Sequence, residues 1–203
     1  MIKFESLNEY NDVWLTSDTH YSHKNIVRGT TTWDLKHHGG IHSVRDFETV
    51  EEMNNQLVKG VNDYVKENDV LIHCGDVSFA GIGEYYNFVN KLNCKNFIHL
   101  RGNHCHQKEH SHLRDIGYYQ FKGFKFVAMH YPALVWHQSH KNARLAFGHV
   151  HDSNPGVGKS QDVGVDVAKR LYGEYRPFNW TEFRDLTDIK KAYLESHHNS
   201  KTN

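Results

Sequence analysis

Val70-Leu71-Ile72-His73-Cys74 restricts this chain more than any other stretch. It is apolar without the alternation of a half-solvated strand, the pattern of a strand covered on both faces. Such strands sit inside layered folds, flanked by further elements. Val13-Trp14-Leu15-Thr16, Asn96 to Leu100 and Arg144 to Phe147 have the same character. Between the first two of these runs in chain order, Phe47, Val50, Met53, Leu57, Val61 and Val65 recur near a 3.6-residue period. That spacing predicts the longest helix, over Val44 to Asn68. Further helices are expected from about Gly83 to Leu92 and over Thr181 to Glu195. Tyr118 to Phe121 and Phe124 to Met129, around Lys122-Gly123, read as a hairpin, and Asp162 to Val167 as a final strand. Strands alternating with helices define the α/β class. A chain of 203 residues is long enough for one domain with its own core. That domain is taken as 1–195, followed by a polar tail, 196–203.

The apolar runs share a second property: each delivers a polar, chemically able residue at its end. The sequence gives Asp18-Thr19-His20, then Gly75-Asp76, Gly102-Asn103-His104, His130, and Gly148-His149-Val150-His151. Five strand ends bearing Asp, His or Asn can converge on one site. Histidine is abundant, at 18 residues, whereas Lys+Arg and Asp+Glu balance at 24 each. The neutral balance gives no overall electrostatic case for a nucleic-acid or membrane partner. Three cysteines at irregular spacing imply no disulfide framework, and a reducing cytoplasm is the expected compartment. Met1 to Tyr10 has no apolar core of a secretory signal, and no apolar run reaches the length of a membrane span.

Asp18 and His20, two apart, can reach one metal as their strand ends, and His149 and His151 repeat that spacing. With Asp76, Asn103 and His130 the set offers two carboxylates, one amide and four imidazoles. It contains no thiolate, so it suits a pair of borderline divalent ions such as Mn, Fe or Zn better than a structural zinc. His23 and Asn25 are candidate contacts to a substrate phosphate, with a capping or surface role as the competing reading. His106, His110 and His112 beside Cys105 offer an extra zinc site, but their irregular spacing in a polar segment favours solvated side chains. His37 and His38 read as a solvated loop. His73 and His99, inside apolar strands, read as buried histidines behind the site.

The ordered series Asp18-x-His20, Gly75-Asp76, Gly102-Asn103-His104, His130 and Gly148-His149-x-His151 resembles the calcineurin-like metallophosphoesterase superfamily. It spans positions 18 to 151. Asp18-Thr19-His20-Tyr21-Ser22-His23-Lys24-Asn25-Ile26 is further similar to the small stand-alone phosphoesterases of bacteria and their phages. The resemblance implies a four-layer α-β-β-α sandwich of two mixed sheets with a dinuclear metal site at the strand ends. It implies that Asp18, His20 and His151 hold one ion, that Asn103, His130 and His149 hold the other, and that Asp76 bridges them. His104 would be the general acid, and a hydroxide between the ions would attack phosphorus in line.

Two departures stand out. Cys105 replaces the aspartate that usually follows Asn-His, and Val77-Ser78-Phe79 lacks the arginine with which protein phosphatases of the superfamily hold the phosphoryl group. The expected activity is therefore hydrolysis of a phosphodiester or a small nucleotide-like phosphate ester. A DNA or RNA nuclease of the same superfamily is the alternative, although such enzymes usually add a capping domain and this chain is neutral. A protein-binding scaffold, like the retromer subunit of this fold, is the minor one, since scaffolds tend to lose the ligands that are all present here.

Overall fold

The computed structural model describes residues 2–37, 40–105 and 113–192. His38, His106, His110, His112 and the 196–203 tail lie outside the described residues. In chain order the elements are β1 (Glu5–Ser6), β2 (Val13–Thr16), α1 (Val50–Tyr64), β3 (Val70–His73), α2 (Ile82–Val89), β4 (Asn96–His99), β5 (Ile116–Phe121), β6 (Phe124–Met129), β7 (Arg144–Phe147), β8 (Ser160–Asp162), α3 (Val165–Tyr172), β9 (Phe178–Asn179) and α4 (Trp180–Asp188).

The strands form two mixed sheets. One has the order β4-β3-β2-β9, with β2, β3 and β4 parallel and β9 antiparallel against β2. The other has the order β1-β5-β6-β7-β8, in which β5 and β6 form the expected hairpin and β6, β7 and β8 run parallel. Lys122 and Gly123 both take positive φ at the hairpin turn, as a type I′ connection requires. Parallel neighbours aligned in register bring their C-terminal ends to one edge, where polar residues can gather.

Between the sheets lies one apolar cluster. Leu15, Val70 and Ile72 from the first sheet meet Phe121, Phe126, Ala128 and Ala146 from the second, closed by Trp180 and Phe183 of α4. The outward residues Trp14 and Leu71 pack on Met53, Leu57 and Val61 of α1 and Phe88 of α2. Helix α1 starts later than its periodicity predicts because Thr49 caps it in a reciprocal capping box with Glu52.

The fourth layer departs from expectation. Val127, Leu145 and Phe147, the outward residues of the second sheet, are covered by Phe4, Tyr118, Ala133 and Trp136, and no helix residue joins that cluster among the described residues. Among the described residues that cluster has three buried members, and Phe4 ahead of β1, Tyr118 of β5 and the loop residues Ala133 and Trp136 cover them. A second difference concerns Asp162 to Val167. The strand ends at Asp162, and Gly164 opens α3, with Asp166 in its first turn. Buried Val163, Val165 and Val167 alternate along the chain and so imitate a strand when read without that helix. No helix among the described residues is long and apolar enough to cross a membrane.

Candidate metal centre

The polar residues converge because two chain crossings are tied by backbone hydrogen bonds. Beyond β2 the chain continues beside the chain beyond β3: Asp18 N–H donates to Gly75 O at 3.1 Å, His20 N–H to Asp76 O at 3.0 Å and Tyr21 N–H to Val77 O at 2.9 Å. From the other sheet, Gly148 N–H donates to His130 O at 2.9 Å and His149 N–H donates to Asp18 Oδ2 at 2.9 Å. Asp18, His20, Asp76, His149 and His151 all adopt positive φ, between 45° and 73°. That region is uncommon for residues with side chains, tolerated best by Asp, Asn and His, and costs about 1–3 kcal/mol per residue.

The side chains face one another. His20 Nε2 lies 3.9 Å from Asp18 Oδ1 and 3.8 Å from Asp76 Oδ2. His130 Nε2 is 3.2 Å from Asp76 Oδ2 and 2.8 Å from Asn103 Oδ1, and His149 Nδ1 is 2.9 Å from the same amide oxygen. His151 Nε2 is 4.0 Å from Asp18 Oδ1. Three groups are spaced to hold a metal ion: Asp18, His20 and His151; His20, Asp76 and His104; Asp18, Asp76 and His130. The structure thus brings together all seven residues expected as ligands, with His104 at their rim, its side chain 39% exposed.

A cation fits what these residues leave unsatisfied. Asp18 Oδ1 and both ring nitrogens of His20 are buried with no hydrogen-bond partner. Buried polar atoms are almost always paired, and leaving them bare costs free energy. Of these bare atoms, Asp18 Oδ1 and His20 Nε2 lie 3.9 Å apart within the ligand cluster. The donor set is N and O only, which suits Mn, Fe or Zn.

Burial pushes the Asp18 carboxyl up and the His20 imidazole well below its usual value. Burial also opposes ionisation of Asp76, but the hydrogen bond and charge of His130, with His20, hold its carboxyl well below the usual range. Burial alone would lower His130, yet Asp76 and Asp18 raise it overall. Its Nδ1 lies 3.0 Å from Cys74 O. Donation to that carbonyl leaves Nε2 turned inward, the usual arrangement behind a ligating histidine.

The two candidate substrate contacts have protein neighbours of their own. His23 is 6% exposed and its ring stacks on Phe79, with centroids 3.6 Å apart and planes at 8°. Asn25 Oδ1 accepts from Thr32 N–H at 3.1 Å and from its hydroxyl at 3.0 Å, closing a surface loop. His73 is fully buried, with Nε2 3.0 Å from Thr19 Oγ1, and His99 Nε2 lies 3.7 Å from Cys105 Sγ.

Sequence reasoning missed the pair behind His151. Asp166 Oδ2 lies 2.7 Å from His151 Nδ1, and Arg45 binds Asp166 through Nε and Nη2 at 2.8 and 2.9 Å. Arg45, 5% exposed, also donates to Asp18 O at 2.6 Å and Thr19 O at 2.7 Å. Neither residue follows an apolar strand. The one available signal was an aspartate in the first turn of a helix, and α3 reads as a strand from sequence.

No family model matches the chain. Over 164 residues it is 30% identical to the uncharacterized protein MJ1445 of Methanocaldococcus jannaschii, an alignment that covers 76% of this chain and 82% of that protein. The chain belongs to the family of that archaeal protein. Among solved structures it is similar to the protein of unknown function AQ665 from Aquifex aeolicus, with a TM-score of 0.61 and 19% identity, covering 86% of this chain and 98% of that one. The likeness to AQ665 is one of fold. A conserved uncharacterized protein from Streptococcus pneumoniae, described as a predicted phosphoesterase, overlaps at a TM-score of 0.38 with 12% identity over 69% of this chain and 62% of that one. That overlap is too loose to carry a functional argument.

Proposed function

We propose that this member of the MJ1445 family is a metal-dependent phosphoesterase, hydrolysing a phosphodiester or a small nucleotide-like phosphate ester. The observation that supports it best is the bare Asp18 Oδ1 and His20 imidazole, enclosed by Asp76, His130, Asn103, His149 and His151 and open to solvent beside His104. Asp18, His20 and His151 would hold one divalent ion and Asn103, His130 and His149 a second, with Asp76 shared between them. Such a pair supplies positive charge against the phosphoryl oxygens and makes a water acidic enough to ionise near neutral pH.

This chain's own residues do the rest. Asp76 stays ionised, as a shared ligand must, and its Oδ1 accepts the His104 backbone N–H at 2.9 Å, which fixes the loop that carries His104. The His104 side chain lies over the centre, with Nε2 4.0 Å from Asp76 Oδ2. From there it donates a proton to the leaving oxygen as the P–O bond breaks. His130 and His151 are held by Cys74 O and Asp166, so neither turns away when substrate enters.

The test is a hydrolysis screen of aryl mono- and diesters, cyclic nucleotides and single-stranded nucleic acid with added Mn, Fe or Zn. Turnover that disappears on chelation and returns with metal is the expected result. Absence of turnover with every metal, in protein shown to bind none, overturns the proposal.

A further inference from the structure

Phe79 stands where no established role accounts for it. It is large, apolar and 40% exposed, an unusual combination at the rim of a polar centre. It is also fixed. Its backbone N–H donates to Tyr21 O at 3.0 Å, and the adjoining Ser78 bridges Tyr21 in parallel. One face of its ring lies flat on buried His23, and its ring centroid is 4.9 Å from that of His104. Beyond His23 the line continues to Trp33, whose ring meets His23 edge-on at 5.8 Å. Trp33 in turn borders a cavity of about 880 Å³ that also takes in His151. An aromatic wall therefore runs from the histidine at the leaving-group position to the cavity bordered by Trp33 and His151.

We infer that Phe79 is a stacking platform for a planar group carried by the substrate, and that the substrate class is a phosphate ester of a nucleoside or another flat, aromatic alcohol. The inference rests on the proposed phosphoesterase activity, because that activity places the leaving oxygen at His104. A group attached to that oxygen lies next to the open part of the Phe79 ring. Stacking needs a flat apolar face already held in place, and the His23 layer behind Phe79 supplies one at little entropic cost. It reads no particular base, since every base has a π-face.

The experiment titrates the manganese-loaded protein with adenosine 5′-monophosphate and with ribose 5-phosphate, which share the phosphate and differ in the flat ring. The wild type should bind the adenosine compound about 5- to 150-fold more tightly, the factor that stacking on one aromatic side chain carries. Phe79→Ala should bring the two affinities together by weakening only the adenosine compound. Phe79→Leu, which keeps apolar bulk without the flat face, should lose most of the preference, and Phe79→Trp should retain it. Equal wild-type affinities, or a Phe79→Ala variant that weakens both compounds alike, would overturn the platform and leave the phosphoesterase reading intact. If neither compound binds and no ester is hydrolysed, the phosphoesterase reading fails, and the platform fails with it.

Discussion

Asp166 and His151 are joined by a hydrogen bond of 2.7 Å, from His151 Nδ1 to Asp166 Oδ2, and that bond decides which nitrogen of His151 faces the centre. Burial opposes ionisation of Asp166, but Arg45 and the His151 contact hold its carboxyl well below the usual range, so Asp166 is an acceptor and Nδ1 carries the hydrogen. Nε2 is then the free lone pair, on the side of Asp18 Oδ1. Burial would lower the His151 pKa, and the same contact with Asp166 raises it overall. A histidine backed by a carboxylate is a stronger ligand.

Asp166→Asn should therefore weaken the binding of the ion shared by Asp18, His20 and His151 by about 10- to 100-fold, the usual effect of removing a partner behind a ligand. Calorimetric titration with Mn or Zn should show one of two binding events shifted and the other unchanged. Two unchanged events would mean that His151 is not oriented by Asp166.

Gly102→Ala should damage the centre without replacing a ligand. A Cβ at Gly102 would collide with the Asp76 carboxylate and its backbone nitrogen. Overpacking of this kind costs about 1–3 kcal/mol, and here the yielding group is Asp76, the proposed shared ligand. The variant should fold with a lowered melting temperature and bind metal at least about tenfold more weakly. Wild-type metal affinity in the variant would contradict the shared role of Asp76.

How much of this was legible in the sequence depends on the kind of element. β2, β3 and β7 could be read because their runs are buried throughout, and β4, half-buried at the sheet edge, because its run is apolar; each leads into a polar residue that has no place in a core. That regularity is also why all seven candidate ligands could be named. The two-residue strands β1 and β9 have no pattern to find, since two residues set no period. α3 was hidden because its eight residues begin soon after β8 and include buried Val165, Val167 and Ala168. With α3 went Asp166, and with Asp166 the purpose of Arg45. Phe79 was visible only as the absence of an arginine, and its position against His23 depends on a tertiary bridge that local sequence does not encode.

The metal-free protein should lose stability in acid through His73. Its folded-state pKa is lowered by burial from 6.5 to about 3. Between those values the unfolded chain binds the proton and the folded chain does not, so stability is fully present above about pH 6.5 and falls as pH drops toward 3. Asp162, raised by burial from 3.8 to about 7, acts in the opposite sense: its contribution is present at low pH and is lost as pH rises to 7. Thermal melts of chelated wild type and His73→Gln between pH 4 and 7.5 test this, and the variant should show the smaller decline in acid. Parallel curves would exclude His73 as a source.

His104→Ala should retain both metal events and lose hydrolysis by about 10²- to 10⁴-fold for esters with alkoxide leaving groups. For p-nitrophenolate, which departs without a proton, the loss should be small. Rates across a series of aryl and alkyl esters, with metal content measured in parallel, would show this slope. A flat ratio would remove His104 from the acid role.

The candidate ligands are divided between the sheets: Asp18, His20, Asp76 and Asn103 come after strands of one, while His130, His149 and His151 come after strands of the other. Two of the three groups spaced for an ion, Asp18-His20-His151 and Asp18-Asp76-His130, need both halves. A chain whose sheets have formed but slid past each other by one residue would possess every ligand, yet part Asp18 from His151 and Asp76 from His130. Chemistry at this centre therefore inspects the folding that precedes it, and an ion captured there would rivet the two halves, turning correct docking into a state that is hard to leave.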